Sequence, residues 1–370
     1  MTDILWISSI TGVGGLTLGG GISYFSPRYG WTCDSVSNFQ VVLADGSIVD
    51  ANAFYNPDLF FALKGGNNNF GIVTRIDLGT FEQGLVWAGT IYNPLSSIDE
   101  VICELVKVNS RDNYDEYASV ITTFGYSQAQ GMSVISSQLE YTKEVDSPPR
   151  IFGGYSTLPS LRNTSRLMNM TALSKETAAL QPVDARYVVF GGHGCAVSAS
   201  ILTSIRALYR VLTVVSTEPI LKAAFNHWKD SVPTIANVSN IVWALVFEPL
   251  PPAIYSRSAK SNALGLADRT EPLLVALLST TWSNEKDDTL VSDAADALMG
   301  AVEKEARQLG AFDPFVYLDY AGQHQDPIAS YGAGSVKRLR EVRQKVDPKG
   351  VFTFQVPGGY KLPEEKLGPM

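Results

Sequence analysis

Gly14-Gly15-Leu16-Thr17-Leu18-Gly19-Gly20-Gly21-Ile22-Ser23-Tyr24 is the stretch of the sequence that is most informative about the fold. Glycine backbones adopt positive φ angles and approach a ligand closely, and successive backbone amides can donate hydrogen bonds to an anionic group. A loop that turns tightly beneath a sheet has the same composition. The stretch therefore predicts either a ligand-binding loop or a tight structural turn.

Several common catalytic motifs are missing from the chain. The sequence contains no GxxxxGK[ST] phosphate loop, no GxSxG nucleophile turn and no HExxH zinc motif. A GxGxxG dinucleotide fingerprint also fails, because Thr17 stands where the third glycine would follow Gly12 and Gly14. Nucleotide hydrolysis and metal chemistry are therefore disfavoured, and we predict no metal site.

Bulk composition indicates a globular enzyme of two domains. A chain of 370 residues is too long for one ordinary core, and 45% apolar with 18% charged residues is typical of a folded soluble protein. The net charge of −8 disfavours nucleic acid or an anionic membrane as a partner. Cys33, Cys103 and Cys195 lie too far apart in sequence to indicate a disulfide framework.

Turn and capping residues predict the elements that follow the glycine-rich stretch. Asp45-Gly46 between short apolar runs predicts a hairpin. Asn56-Pro57-Asp58 predicts the start of a helix with an asparagine cap, and Gly65-Gly66 predicts its end. The alternation of apolar and polar residues over Ile72–Leu78 predicts a half-buried strand.

From about residue 87 longer helices alternate irregularly with strands. Ser97 and Glu100 have the spacing of a capping box at the first of these helices. Such a mixture predicts an α+β layer, in which helices cover an antiparallel sheet. The predicted helices lie near 97–109, 199–213, 287–309 and 335–346, and the predicted strands near 117–124, 132–142, 241–247, 273–282 and 315–320.

Several longer strings resemble one known family. Beside the glycine-rich stretch they are Tyr29-Gly30, Asp34-Ser35-Val36, Val42-Leu43-Ala44-Asp45-Gly46, Asn56–Gly66, Asn69-Phe70-Gly71-Ile72-Val73-Thr74, Tyr317-Leu318-Asp319-Tyr320, Tyr331-Gly332 and Asp347–Phe352. They resemble the PCMH-type FAD-binding domain and the closing segment of the vanillyl-alcohol-oxidase superfamily, in its fungal berberine-bridge-like branch. The resemblance spans nearly the whole chain.

The resemblance implies a division of the chain and a cofactor site. Residues 1–86 would form the C-terminal part of the FAD-binding domain, 87–312 the α+β substrate-binding domain, and 313–370 a segment that returns to the FAD domain. FAD would lie between the glycine-rich loop and the Asn69–Val73 turn. The residues implied to contact it are Gly15, Gly19, Gly20, Gly21, Ser23, Tyr24, Tyr29, Asn69, Gly71, Val73 and Tyr320.

The sequence also departs from that family. The family's upstream phosphate-binding loop and its covalently linked histidine or cysteine are not identifiable here, which implies an N-terminally shortened FAD domain. FAD would then be bound without a covalent link, or would be lost. Asp319 replaces the asparagine of the family's Tyr-x-Asn-Tyr motif, and an ionised aspartate only accepts hydrogen bonds.

Flavin-dependent oxidation requires a base that takes the proton of the substrate. The resemblance implies Tyr317 as a phenol beside the flavin, and a core tyrosine is the alternative. Asp319 is predicted to act as a base or to mark a weakened site. Glu248 is predicted to face the substrate or to end a strand in solvent. His193 is predicted to move a proton or to lie on a surface loop.

These residues predict an FAD-dependent oxidase that transfers hydride from a small organic substrate, implied to be a secondary metabolite, to flavin N5. Dioxygen would reoxidise the flavin and yield hydrogen peroxide. The alternative is a redox-inactive relative, acting as an isomerase, a cyclase or a metabolite-binding protein. We predict no nucleic-acid or membrane partner. Sequons at Asn163, Asn169 and Asn237 and the resemblance allow a secretory route.

Overall fold

The structure is a computed structural model. It describes residues 11–179, 205–257 and 260–363, with the backbone of residues 2–3 and 186–187. The candidate base His193 lies outside the described residues. Among the described residues, no helix has the length and apolar character that crossing a bilayer requires.

The first part of the chain forms a small antiparallel sheet next to the glycine-rich stretch. Its central strand, β2 (Val36–Val42), pairs with β3 (Ile48–Asn52) on one side and with β4 (Ile72–Leu78) on the other. Val42 lies opposite Ile48, which confirms the predicted hairpin. Its turn uses Gly46, whose φ of 85° favours glycine. The elements are β1 (Thr2–Asp3), α1 (Val13–Gly19), α2 (Ser26–Tyr29), β2 (Val36–Val42), β3 (Ile48–Asn52), α3 (Pro57–Leu63), β4 (Ile72–Leu78) and β5 (Thr80–Phe81).

Helix α3 is confirmed, but its predicted cap is wrong. The side chain of Asn56 makes no capping hydrogen bond. Instead, Asn56 Nδ2 donates to the carbonyl of Asp50 at 2.8 Å. The asparagine has a φ of 50°, which this residue type tolerates better than most. It therefore connects the helix to strand β3, in place of bonding the free amides of the first turn.

In the part of the second half that the structure describes, ten strands form one sheet. With the strand ranges given at the end of this paragraph, the order along the sheet is β10-β6-β8-β7-β13-β14-β12-β11. In addition, β9 pairs with β6 and β15 pairs with β12, and among these strands the pairs are antiparallel except β11–β12. This confirms the predicted α+β class. The elements are β6 (Val86–Asn93), α4 (Ile98–Val108), β7 (Ala118–Ser127), β8 (Met132–Tyr141), α5 (Gly153–Thr157), β9 (Arg162–Asn163), β10 (Arg166–Met168), α6 (Met170–Ala178), β11 (Arg186–Tyr187), β12 (Arg206–Val215), α7 (Glu218–Ile235), β13 (Val242–Leu250), α8 (Pro252–Ser256), β14 (Leu273–Trp282), α9 (Asp288–Gln308) and β15 (Phe312–Asp313).

The two faces of the large sheet have different surroundings. On one face Phe124 of β7 packs edge to face on Phe225 of α7, with ring centroids 5.2 Å apart, in a core shared with α4 and α9. Because successive strand residues point to opposite faces, the other face includes Gln138 of β8 and Glu248 of β13. Gln138 Nε2 donates to Tyr24 Oη at 3.1 Å, so this face is turned towards the glycine-rich loop.

Three local predictions in this part are wrong. The predicted helix 199–213 is a strand where it is described, because β12 begins at Arg206 and both of its faces are buried, which removes the alternation that marks a strand. Residues 315–320 do not form a strand, since Leu318–Tyr320 is a single 3₁₀ turn. Ser97 makes no capping hydrogen bond, so the capping box with Glu100 does not form.

The C-terminal segment returns to the first part of the chain. It contains α10 (Gly332–Val346), whose Leu339 shares a core with Phe39 of β2 and Leu59 of α3. Asp347 ends the helix and accepts hydrogen bonds from two following backbone amides at 2.8 Å. The packing matches the closing segment expected after residue 313, while the three domain boundaries themselves stay predictions.

Candidate active site

The glycine-rich stretch forms a short helix followed by a tight turn. Helix α1 ends at Gly19, and Gly20 and Gly21 have φ angles of 118° and 85°. Side chains other than glycine rarely adopt such angles, so the turn requires both glycines. The amides of Thr32 and Cys33 donate to the carbonyls of Gly21 and Gly20 at 2.8 and 2.9 Å. The carbonyls of the turn are therefore engaged by the next segment of the chain.

Asp319 lies directly against the end of α1. A Cβ atom at Gly19 would lie 1.9 Å from Asp319 Oδ1, so the carboxyl occupies the space that a side chain would need. The amide of Gly21 lies near the Asp319 carboxyl and stabilises its charged form. The amide of Ile22 donates to Tyr317 Oη at 2.9 Å, and Tyr317 Oη donates to Asp319 Oδ2 at 2.8 Å. The turn is thus bonded to the C-terminal segment through the Ile22 amide.

Glu248 and Tyr320 form a second pair of an acid and a phenol beside Asp319. The Tyr320 hydroxyl lies beside the Glu248 carboxyl near the end of β13 and stabilises its charged form. The rings of Tyr320 and Tyr317 meet edge to face, with centroids 4.9 Å apart. Glu248 is 7% exposed, whereas Tyr320 and Asp319 keep part of their surface accessible. The pair therefore brings the large sheet next to the C-terminal segment.

Both carboxyls titrate near neutral pH. Burial raises the pKa of Glu248 to about 7, and the hydrogen bond from Tyr320 opposes the rise. Burial also raises the pKa of Asp319 to about 7, although Tyr317 and the Gly21 amide stabilise its charged form. Burial and the neighbouring Glu248 charge raise the pKa of Tyr320. A carboxyl with a pKa near 7 is well matched to general acid–base chemistry.

Glu140 and Gln138 extend this polar region along β8, and the sequence analysis did not identify either residue. Glu140 is fully buried, and its two oxygens have no hydrogen-bond geometry to any described group. Burial raises its pKa, while the nearby Gln138 amide offsets part of the rise. Gln138 Nε2 also lies 3.2 Å from Thr177 Oγ1. Polar residues at positions 136, 138 and 140 of a predicted strand were the signal available in the sequence.

Several side chains expected at the cofactor have internal partners in the structure. Ser23 Oγ accepts a bond from a backbone amide two residues further on at 3.2 Å. The hydroxyls of Tyr24 and Thr177 lie 3.0 Å apart, and Tyr29 packs on Phe81. Asn69 is buried and donates to two backbone carbonyls at 2.8 and 2.9 Å. Their contact with a cofactor stays a prediction.

An apolar groove of about 440 Å³ lies between the start of α1 and strand β4. Val13, Gly14, Gly71 and Val73 are among the residues that line it. Among the residues that the structure describes, no atom lies within 4 Å of a Cβ placed at Gly14 or Gly15, so this side of the helix is open to them. Gly71 and Val73 therefore share one groove with the helix that carries Gly15, and its volume lies in the range of small-molecule sites.

Comparison with known proteins connects this geometry to a family. Residues 5–52 match a family model described as an FAD binding domain. The FAD-dependent monooxygenase tpcD of Cochliobolus heterostrophus is 34% identical over 361 residues, which cover 95% of this chain and 66% of that protein. The FAD-dependent monooxygenase elcE of Phaeosphaeria nodorum is 30% identical over 357 residues, 93% of this chain and 98% of that protein. The chain belongs to this FAD-dependent family.

Two further matches bear on the length and the fold of this family member. The oligopeptidase PhomG' of Diaporthe leptostromiformis is 50% identical over 354 residues, 95% of this chain and 28% of that protein. The chain thus spans 28% of PhomG' and 66% of tpcD. The crystal structure of 6-hydroxy-D-nicotine oxidase from Arthrobacter nicotinovorans has a TM-score of 0.72 at 17% identity and covers 98% of this chain and 73% of that one. This likeness confirms the fold.

The residues present fit one side of the family's cofactor. The groove beside Gly14 and Val73 is mostly apolar and open, which suits a flat aromatic group. Asp319 lies at the other end of α1 and keeps part of its surface accessible. The amide of Ile22 is already bonded to Tyr317, and the Gly21 amide lies near the Asp319 carboxyl. We infer that the groove offers an open surface, whereas the turn would have to exchange partners to bind a phosphate or a flavin edge.

The unusual carboxyl of Asp319 gives a testable dependence of stability on pH. An acid whose pKa is higher in the folded than in the unfolded protein binds more protons when folded, so the free energy of unfolding falls as pH rises. For Asp319 the fall extends from about pH 4, its unfolded value, to about pH 7. We expect Asp319→Asn to be less sensitive to pH between 5 and 8 than the wild type, measured by urea unfolding.

Asp268→Asn is the matched control, because this aspartate is exposed to solvent. It should keep the pH dependence of the wild type. If the free energy of unfolding depended on pH equally in Asp319→Asn and the wild type, the raised pKa of the carboxyl at position 319 would be contradicted.

Proposed function

We propose that the protein is an FAD-dependent oxidoreductase acting on a small alcohol or amine, with Tyr320 and Glu248 as the proton-accepting pair. The observation that carries the proposal is the position of this phenol beside a buried carboxyl whose pKa is about 7. When bound, FAD accepts the hydride of the substrate at N5 and passes the electrons to dioxygen. The family membership supplies the cofactor, and the pair supplies the base.

Tyr320 is the group that would meet the substrate, because this residue keeps part of its surface accessible, whereas Tyr317 is 1% exposed. Its oxygen takes the proton of the substrate hydroxyl or amine while its own proton passes to the Glu248 carboxylate. Glu248 must be ionised to receive this proton, which its pKa of about 7 permits at and above neutral pH. A proton acceptor with a pKa near the working pH contributes about 10²–10⁴-fold to a rate.

Tyr317 and Asp319 have a different part in this proposal. Tyr317 is 1% exposed, and its hydroxyl lies between the Ile22 amide and the Asp319 carboxylate. Such a group positions the glycine-rich turn and does not reach a substrate. We therefore place Tyr317 and Asp319 as positioning residues, and we assign the role of the base, expected from the sequence at Tyr317, to Tyr320.

The visible absorption spectrum of the purified protein tests the proposal first. A yellow preparation with one flavin per chain, or a colourless one that binds added FAD, is expected. Oxygen consumption with a panel of small alcohols and amines then identifies turnover. Hydrogen peroxide equal to the oxygen consumed indicates an oxidase, whereas incorporation of labelled oxygen into the product indicates a monooxygenase, the activity named for tpcD and elcE. Absence of flavin binding under all conditions would reject the proposal.

One observation favours a redox-inactive protein as the second candidate. The amide of Ile22 already has a partner in Tyr317, and the Asp319 carboxyl lies near the amide of Gly21. A turn satisfied in this way needs no cofactor, and the remaining pocket residues could serve an isomerase, a cyclase or a metabolite-binding protein. Binding of a metabolite by a protein that never takes up FAD would support this candidate.

Asp319 should also limit the affinity for FAD. Its carboxylate engages a glycine amide and repels an anionic cofactor, so we expect Asp319→Asn to lower the Kd for FAD about tenfold, equivalent to ~1.4 kcal/mol. Quenching of flavin fluorescence on titration with protein at pH 8 measures the Kd. Asp268→Asn should leave the Kd unchanged, and an unaltered or weaker affinity in Asp319→Asn would contradict the repulsion.

A further inference from the structure

A small cavity lies next to Glu248, and Ile22 and Ser23 of the glycine-rich stretch also line it. Its volume is about 20 Å³, and its lining includes Ser26, Asn109, Ser119 and Glu248. A cavity measured in this way holds one water molecule once it exceeds about 10–15 Å³ and offers two to four polar partners. The volume and the lining of this cavity meet both conditions.

The polar groups around the cavity lack a complete set of protein partners. Asn109 is 1% exposed, and its Nδ2 donates to the Leu273 carbonyl at 2.8 Å, but its Oδ1 has no described partner. Buried acceptors of this kind are normally satisfied by protein or ordered water. Ser26 Oγ accepts a bond from the Ser23 amide at 2.9 Å, which leaves its hydrogen free to donate. A water molecule in the cavity would satisfy both groups.

The outer end of the cavity reaches the protein surface. Tyr114 and Asp115 line the cavity and also line an open surface groove of about 810 Å³. Asp115 is partly exposed and accepts hydrogen bonds from the Tyr117 amide at 3.0 Å and from Tyr141 Oη at 3.1 Å. The same cavity thus touches an interior carboxyl at one end and a surface carboxylate at the other.

We propose that this cavity is the route by which the Glu248 carboxyl exchanges its proton with solvent, through one water molecule and Asp115. The O–H bond of Glu248 breaks as the water gains a proton, and that water releases another proton to the Asp115 carboxylate and the solvent. No electrons move. During turnover this route would remove the proton that Glu248 has accepted, and in this respect the inference rests on the proposed function. The route itself depends only on the fold.

Hydrogen–deuterium exchange of the Glu248 carboxyl tests the route without substrate or turnover. The protonated carboxyl is followed by its infrared carbonyl band at pH 5.5 after mixing with heavy water, and the band is assigned by its loss in Glu248→Gln. We expect Ser119→Leu, which fills the cavity with an apolar group, to slow exchange at least tenfold. Ser127→Leu is the matched control, since Ser127 lies on the same strand and face but does not line the cavity.

Asp115→Asn provides a second variant, which removes the outer proton acceptor, keeps an oxygen for the Tyr117 amide and places an amide nitrogen beside Tyr141 Oη, to which it can donate. It should also slow exchange. Exchange at the wild-type rate in both Ser119→Leu and Asp115→Asn would overturn the route, as would slowing only on replacement of Tyr320 by leucine. Slow exchange in Ser119→Leu together with full turnover in Glu248→Gln would reject Glu248 as part of the base while leaving the route standing.

Discussion

Replacing Tyr320 by phenylalanine is expected to lower kcat about 10²–10⁴-fold, the usual contribution of a general base. The phenylalanine ring keeps the contact with the Tyr317 ring, whose centroid lies 4.9 Å away, but it cannot pass a proton to Glu248. The flavin content should therefore stay at the wild-type level. Anaerobic reduction of the bound flavin by the substrate found in the oxygen-consumption panel measures the chemical step directly.

Tyr317→Phe is the matched control, because it removes a phenolic hydroxyl from the neighbouring tyrosine. Its hydroxyl bonds the Ile22 amide and Asp319, so we expect a smaller loss, less than about tenfold, accompanied by weaker FAD binding. The assignment is reversed if Tyr317→Phe loses the greater part of kcat and Tyr320→Phe does not.

The dependence of kcat on pH shows whether Glu248 and Tyr320 accept a proton in the reaction or form only a structural contact. With Glu248 as the proton acceptor, kcat should rise with pH through about 7 as this carboxyl ionises. The groups that face it are Tyr320, which bonds it, and the acids Glu140 and Asp319, whose charges act on the same region. Glu248→Gln should be slow at every pH and should lose this rise. A profile unchanged in Glu248→Gln would exclude it as the acceptor.

The sequence allowed prediction of features that depend on local backbone chemistry. The hairpin at Gly46 and the helix after Asn56 form because turn glycines and an early proline act within a few residues. The glycine turn follows from the same rule, since Gly20 and Gly21 have positive φ. The fold class was predicted from the family motifs in addition to these local features. Capping was predicted less well, because the side chain of Asn56 bonds the carbonyl of Asp50 in the preceding strand and not the amides of its own helix.

Features that depend on distant partners could not be read in this way. β12 is buried on both faces, so its apolar run fits a helix as well as a strand. The pair of Glu248 and Tyr320 joins residues 72 positions apart in sequence, and a carboxyl pKa near 7 arises only from the burial that the fold provides. No sequence motif pointed to Glu140, because its distinguishing feature, a buried carboxyl without a hydrogen-bond partner among the described residues, exists only in the folded state.

Replacing Gly19 by alanine is expected to have the largest effect of any single methyl group added to the glycine-rich loop. The new Cβ would lie 1.9 Å from Asp319 Oδ1, far inside van der Waals contact. The backbone of Gly19 is helical, so the cost comes from this contact and not from φ. Overpacking of this kind costs about 1–3 kcal/mol, and the displaced Asp319 would also release the Gly21 amide. Urea unfolding and FAD titration measure the two effects.

Gly14→Ala is the control, because it adds the same methyl group to the same helix where no atom lies within 4 Å. Alanine favours the helix, so this variant should gain up to about 1 kcal/mol. Asp319→Ala in the Gly19→Ala background removes the clash, and the double variant should be more stable than the sum of the single changes by about 0.5–3 kcal/mol. Additive losses would show that Asp319 does not oppose the methyl group, and the contact between turn and closing segment on which the site depends would have to be abandoned.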